Sequence, residues 1–335
     1  MGPMMKLTDI AALGDVVDRV ALSGATEALS GASFERLLLA DGRRLVLKFL
    51  PVGGDWLTRM TGGHGGMRQL WDSGVLERVA AIVDHGVVTV LTSGAGDVVV
   101  MRDLTDELLA PARPVPESEA RDLLAGLAAL HADWEGGEHT GLCPSEARIG
   151  LFAPARHAAD RGPCPHPMRD TILAGWATFA EVGDRDVVDA VFAVHADPQR
   201  LARRLRDAVP PTLVHGDAKL ENLGLSGRRL VVIDWGDLTG FGAAETDVAW
   251  FAVQGTWRID ALPDVVFQAY DACASRPLDP VALDLACLGA LAQMGFKLAW
   301  RSVHAPDETV RLRATELLGW WTTRAHVALD RLGAI

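Results

Sequence analysis

The hydrophobic period of the chain changes twice. The spacing is helical up to about residue 20, and then apolar and polar positions alternate through ALSGASFERLLLADGRRLVLKFL. Alternation of period two is the mark of half-buried strands, so this stretch predicts two or three short strands, with Asp41-Gly42 closing a hairpin. A glycine-rich connection, PVGGDWLTRMTGGHGG, leads to a short helix over GMRQLWDS, which Gly74 ends. GVVTVL and GDVVVM complete a small antiparallel sheet, giving a predicted lobe of five strands and one helix that closes near Met101.

Beyond Pro116 the apolar spacing turns helical over ESEARDLLAGLAALHADW, TILAGWATFAEV, PQRLARRLRDAV, ETDVAWFAV and two last helices. Only TLVHGD, LGLS and RRLVVID read as extended there. The expected architecture is α+β. A β-rich lobe spans residues 1–101, and a helical lobe spans 102–335 with an insertion at about 133–200. The Pro- and Gly-rich part of that insertion, 136–167, reads as loop.

Length and composition agree with this plan, since 335 residues with 49 % apolar and 23 % charged side chains describe an ordered chain of two lobes. The 44 acidic against 32 basic residues give a net charge of −12, which repels nucleic acid and anionic membrane. Arg200, Arg203, Arg204 and Arg206 read as one solvated helix face, so neither partner is expected. The same charge would concentrate a cationic small molecule. The run Val281–Trp300 is broken by Asp284, Gln293 and Lys297 and reads as a buried helix. The N-terminus has no uninterrupted apolar segment, and Lys6 stands where a myristoylation signal needs Ser or Thr, so the cytoplasm is the expected location. Cys143, Cys164, His139, His157 and His166 contain no closely spaced cysteine pair, and read as loop composition rather than a zinc site.

The chemistry concentrates in VHGDAKLENLG (214–224) and RRLVVIDWGDLTGFG (228–242). His215, Asp217 and Asn222 stand in the spacing H-x-D-x-x-x-x-N, and Asp234 follows an apolar strand. Phosphoryl transfer needs these types: a carboxylate to orient a hydroxyl, oxygen ligands for Mg²⁺, and cations against phosphate. At these residues the chain resembles the aminoglycoside phosphotransferase and choline kinase superfamily of protein-kinase-like small-molecule kinases. The resemblance implies a protein-kinase-like bilobal fold with ATP and Mg²⁺ between the lobes. It implies that Asp217 is the catalytic carboxylate, that Asn222 and Asp234 are metal ligands, and that His215 and Asp247 support the loop. Lys219 is expected at the γ-phosphate.

In the first lobe, Lys48 in RRLVLKF matches the nucleotide-binding lysine of the third kinase strand. Ser30, Gly31 and Ser33 would cover the phosphates, and the backbone of Met101 to Asp103 would take the base. The usual acidic partner of such a lysine has no clear counterpart, with Gln69, Asp72 and Glu77 all open. Acceptor contacts are expected from Trp235 to Asp237, the insertion and the last helices, with Trp250, Trp300, Trp320 and Trp321 as further candidates. His131 reads as a packed core residue. The expected reaction is ATP-dependent phosphorylation of a hydroxyl on an aminoglycoside-like antibiotic or amino sugar, or on a metabolic alcohol such as choline, homoserine or a sugar. A protein kinase is disfavoured by Gly216 in place of the Arg of H-R-D and by the lack of an A-P-E segment. A nucleotide-binding pseudokinase is disfavoured by the presence of Asp217, Asn222 and Asp234.

Overall fold

A computed structural model describes residues 13–22, 32–50, 56–64, 66–93, 96–162 and 166–332. Its first sheet has five antiparallel strands: β1 (Val16–Ala21), β2 (Ser33–Leu39), β3 (Arg44–Phe49), β4 (Val87–Ser93) and β5 (Gly96–Arg102), in the order β1-β2-β3-β5-β4. The β2–β3 turn forms because Gly42 takes φ +86° and Asp41 accepts the Arg43 N–H at 3.0 Å. Alternation then sorts the side chains. Leu37, Leu39, Leu45, Leu47, Val98 and Val100 form a core on the outer face. Lys48, opposite Val99 in the register, belongs to the other face, where Val90 and Val99 join the main core. The first strand begins at Val16, inside the stretch whose spacing predicts a helix up to about residue 20.

Between β3 and β4 the described residues hold three helices rather than one: α1 (Trp56–Thr61), α2 (Met67–Asp72) and α3 (Val75–Val79). Gly74, at φ +73°, separates α2 from α3, so it ends one helix while starting another. Leu70, Val75, Leu76 and Val79 share one core with Leu123, Leu127 and Leu230 of the second lobe. The segment after α3 is tied there through the main chain: Asp84 N–H donates to Leu230 O at 2.9 Å, and Val232 N–H donates to Asp84 O at 2.8 Å.

The second lobe holds α4 (Glu117–Asp133), α5 (Ser145–Ile149), α6 (Pro154–Ala159), α7 (Arg169–Val182), α8 (Arg185–Ala196) and α9 (Pro198–Ala208). It continues with α10 (Ala244–Gly255), α11 (Pro263–Asp271), α12 (Pro280–His304) and α13 (Glu308–Leu332). Two short ribbons complete it, β6 (Thr212–Val214) with β9 (Gly240–Gly242), and β7 (Leu223–Ser226) with β8 (Arg229–Val232). The expected loop region 136–167 contains α5 and α6, and α8 follows α7 on an Asp184 cap. Helix α12 is long and apolar enough to cross a membrane, and 83 % of its apolar window is buried inside the protein. Asp279 caps it through the N–H groups of Val281 and Ala282, and Asp284 within it is ion-paired to Arg324 and Arg331.

Candidate active site

The centre of the site is the turn between β6 and the 3₁₀ helix Leu220–Asn222. Its main chain is fixed from below. Asp247, in the first turn of α10, accepts the N–H of His215 at 2.6 Å and of Gly216 at 2.8 Å. His131 stands 3.4 Å from the same carboxylate and 2.8 Å from the Tyr270 hydroxyl, so it is a buried member of this support. Burial would raise the Asp247 carboxyl, but His131, His215 and the Gly216 N–H outweigh it and hold the pKa below the usual range.

His215 locks the turn from within, because its Nε2 lies 3.1 Å from Ile233 O while its Nδ1 accepts the Asp217 N–H at 3.2 Å. These contacts assign the tautomer with the proton on Nε2. Gly216 sits at φ +80°, and a Cβ there would lie 2.2 Å from Leu238 O. That contact is the physical reason for H-G-D in this chain: no side chain fits at the middle position.

Asp217 is held by three donors. Lys219 Nζ reaches Oδ2 at 2.7 Å, Asn222 Nδ2 reaches Oδ2 at 3.0 Å, and Trp250 Nε1 reaches Oδ1 at 3.0 Å. The Asn222 amide also donates to Asp217 O at 2.9 Å, which spends its nitrogen on the loop and leaves Oδ1 as the acceptor end. Asp234 follows β8 at φ +64°, an uncommon backbone for a residue with a side chain. Lys48 crosses from the sheet to pair with it at 2.5 Å. Burial acts to raise the Asp234 carboxyl, yet Lys48 and Lys219 hold it down to about 2. Burial would likewise lower the Lys219 ammonium, but Asp217 and Asp234 raise it above its ordinary value.

The structure therefore brings Lys48, His215, Asp217, Lys219, Asn222, Asp234 and Asp247 into one cluster. Other expected members stand differently. Asp103 is buried, paired with Arg36 at 3.0 Å, and bonded to the Thr105 N–H and hydroxyl. Its own N–H donates to Arg44 O at 3.0 Å, so that group is not open to a base. Met101 lies in β5 with neighbours Val46 and Val87 on either side. Ser33 starts β2, while Ser30 and Gly31 lie outside the described residues.

Of the three candidate partners for Lys48, Asp72 pairs with Arg68 at 3.5 Å, Gln69 packs its amide against Gly141, and Glu77 is exposed. Lys48 pairs with Asp234 instead. Trp235, expected at the acceptor, is 2 % exposed. Its indole donates to Val232 O and meets the His215 ring edge-on, which makes it part of the loop's packing. Asp237 contacts Thr58 of α1 at 3.4 Å. Trp321 is buried, and Trp320 donates to Asp264 on α11. His157 and His166 stack among Trp56 and Phe152, and Cys164 lies outside the described residues. The indole of Trp250 on Asp217 is a contact that the sequence does not announce: a tryptophan in an apolar helix carries no sign of which polar atom its N–H will meet.

A strand lysine facing a carboxylate after β8, beside an H-G-D loop braced from a helix, is the arrangement of the kinase-like phosphotransferases. The chain belongs to the phosphotransferase enzyme family APH, whose model matches residues 24–284. Among solved structures it is similar to the choline kinase LicA from Streptococcus pneumoniae, with TM-score 0.54, 16 % identity, and 93 % of this chain and 97 % of that one covered. It is also similar to a putative aminoglycoside phosphotransferase from Ralstonia eutropha, with TM-score 0.53, 13 % identity and coverage of 96 % and 97 %. A spectinomycin phosphotransferase solved with ADP and spectinomycin gives TM-score 0.51 and 10 % identity, covering 97 % and 99 %. At these identities the likeness shows the bilobal α+β kinase-like fold. No curated protein matches the chain.

Proposed function

We propose that the protein is an ATP-dependent O-phosphotransferase that moves the γ-phosphate to a hydroxyl of a small molecule, leaving a phosphate ester and ADP. The observation that carries this reading is the Asp217 carboxylate, fixed by Lys219, Asn222 and Trp250 beside the Lys48–Asp234 pair. Catalysis of phosphoryl transfer is mainly positioning and charge neutralisation, and this cluster supplies both. Asp217 orients the acceptor hydroxyl and takes its proton as the oxygen attacks. Lys219 and Lys48 sit against the triphosphate, the first neutralising charge on the transferring group.

The donor set fits a hard divalent cation. Asn222 offers an amide oxygen whose nitrogen partner is already spent, and the Asp234 side chain is 42 % exposed and ionised. Asn222 and Asp234 would hold Mg²⁺, which would supply positive charge against the phosphates. In this reading residues 1–101 form the nucleotide lobe and 102–335 the catalytic lobe, with the acceptor on the α10 and α12 side of Asp217.

The test is Asp217→Asn. Turnover should fall roughly 10³-fold while the ADP affinity stays within about threefold, because the carboxylate acts on the hydroxyl and not on the nucleotide. Single-turnover kinetics and calorimetry read the two quantities separately, and a variant of near-wild-type rate would remove Asp217 from the chemistry.

A further inference from the structure

Two cations stand one turn apart on α12 with no carboxylate bonded to them among the described residues. Lys297 has a single hydrogen-bond partner there, the neutral amide oxygen of Gln254 at 3.2 Å. The Arg301 side chain has neither hydrogen bond nor ion pair among those residues, and lies with its guanidinium 4.3 Å over the Trp257 ring. Both are half-buried. Burial lowers the Lys297 ammonium to about 8, with Arg301 adding to the effect, and burial lowers Arg301 as well. A protein with 44 acidic side chains has ample means to pair a half-buried cation, as it does for Arg258 with Glu221 and for Arg324 with Asp284. Leaving two adjacent ones unpaired costs free energy that an incoming anion would recover.

Lys297, one turn before Arg301, is also close to the transfer centre. Trp250 and Gln254 are successive turns of one face of α10: the first donates to Asp217 and the second accepts from Lys297. Asp217, Lys219 and Glu221 all act electrostatically on Lys297. Of these, Asp217 is taken by its three donors and Glu221 is paired with Arg258. The wall beside them is aromatic, with Trp250 stacked on Phe152 and Phe152 against Phe296.

Resting on the phosphotransferase reading above, we propose that Lys297 and Arg301 form an anion subsite for the acceptor. The substrate is then a small hydroxylated carboxylate or phosphate whose acid group docks on α12 while its hydroxyl faces Asp217. The two positive charges repel a polycationic amino sugar, so the subsite overrides the preference for a cation that the net charge alone suggests. The reaction itself is unchanged: the hydroxyl oxygen bonds to the γ-phosphorus, its proton passes to Asp217, and ADP leaves.

The experiment pairs each acid with its uncharged analogue. ADP release would be measured with glycerate, homoserine and gluconate, with the corresponding amides, with glycerol phosphate against glycerol, and with kanamycin. Calorimetry on the ADP-bound protein and on the protein alone would follow binding of the same compounds. At least one acid should be turned over with kcat/KM tenfold or more above its amide, and the carboxylate and phosphate arms show which oxyanion is preferred. Lys297→Met and Arg301→Gln should raise KM for that acid 10- to 100-fold with kcat and the KM for ATP within threefold, and Lys297→Arg should recover part of the loss. Removing an unpaired buried charge should leave the thermal midpoint of Lys297→Met equal to or above wild type, which separates the effect from misfolding.

A wild type that binds no acid, or prefers kanamycin or a neutral alcohol, overturns the subsite. So does a Lys297 variant that changes the KM for ATP instead of that for the acid. Failure of the wild type to bind MgATP would defeat the phosphotransferase reading instead, and acid binding to the protein alone would still decide the subsite.

Discussion

Asp217 and Lys297 are both half-buried charged groups near the transfer centre, yet their surroundings differ. Asp217 receives three donors, from the loop itself and from α10, while Lys297 meets one neutral amide. The loop around Asp217 is closed on itself: Asp247 takes its N–H groups, His215 takes the next one, and Gly216 leaves no space for a side chain. The α12 face is left open in electrostatic terms. A group that must sit in one place for every turnover is over-determined by the fold, whereas groups whose partner is to arrive from solution are left incomplete.

Substitutions at three positions test that contrast. The largest effect is expected for Lys219→Ala, which removes a donor to Asp217 and a cation from the phosphate side. It should lower kcat and kcat/KM together by roughly 10²-fold, about 2.7 kcal/mol, with ATP affinity little changed. Lys219→Arg should recover little, because a planar fork does not fit where a compact ammonium reaches Oδ2. Steady-state rates of either variant within threefold of wild type would mean that the loop is not the rigid partner in the comparison.

Next comes Gly216→Ala, which changes no charge. The left-handed φ and the 2.2 Å approach to Leu238 O should cost about 2 kcal/mol or more of stability, read as a lower urea midpoint at an unchanged slope. An unaltered midpoint would show that the turn can relax. The smallest effect is expected for Trp250→Phe, which keeps the stacking on Phe152 and loses only the N–H on Oδ1. A roughly tenfold fall in kcat, about 1.4 kcal/mol, with KM for ATP unchanged would place the indole among the groups that position Asp217. Equal changes in kcat and in thermal midpoint would make it packing alone.

How far the amino-acid sequence can be read follows from the same contrast. The loop is legible because its residues are contiguous, at fixed spacing, and bounded by apolar strands, so His215, Asp217, Lys219, Asn222 and Asp234 group together by spacing alone. Strands β2 to β5 are legible by alternation, whereas β1, Val16–Ala21, is not, since all of it but Ala21 lies in the stretch whose spacing reads as helical. Contacts made across the fold are not. Nothing in RRLVLKF says that Lys48 will meet Asp234, 186 residues away, and a Met-Arg-Asp crossing does not reveal that the Asp103 N–H is already engaged. Strand β9 is Gly-Phe-Gly, a composition that opposes strand formation and is extended only because β6 lies beside it. Helix α8, in contrast, carries its signal in the Asp184 cap and in Val187, Val188, Val191 and Val194, and falls between two expected helices, outside the loop-rich 136–167. Lys297 is visible only as a break in an apolar run.

The backbone seam at Asp84 and Val231 bears on how the molecule can move. A clamshell pivoting at the crossing near residue 101 would have to tear two main-chain hydrogen bonds, each worth about 1 kcal/mol net, and lift Arg78 from the face of Trp134. Helices α2 and α3 are welded to the same side by the core they share with Leu123 and Leu127. What can shift is thus smaller than the first 101 residues, because α2, α3 and Asp84 go with the second lobe. Lys48 reaches from β3 to Asp234 in that lobe, so any shift of the sheet acts directly on the ion pair at the transfer centre.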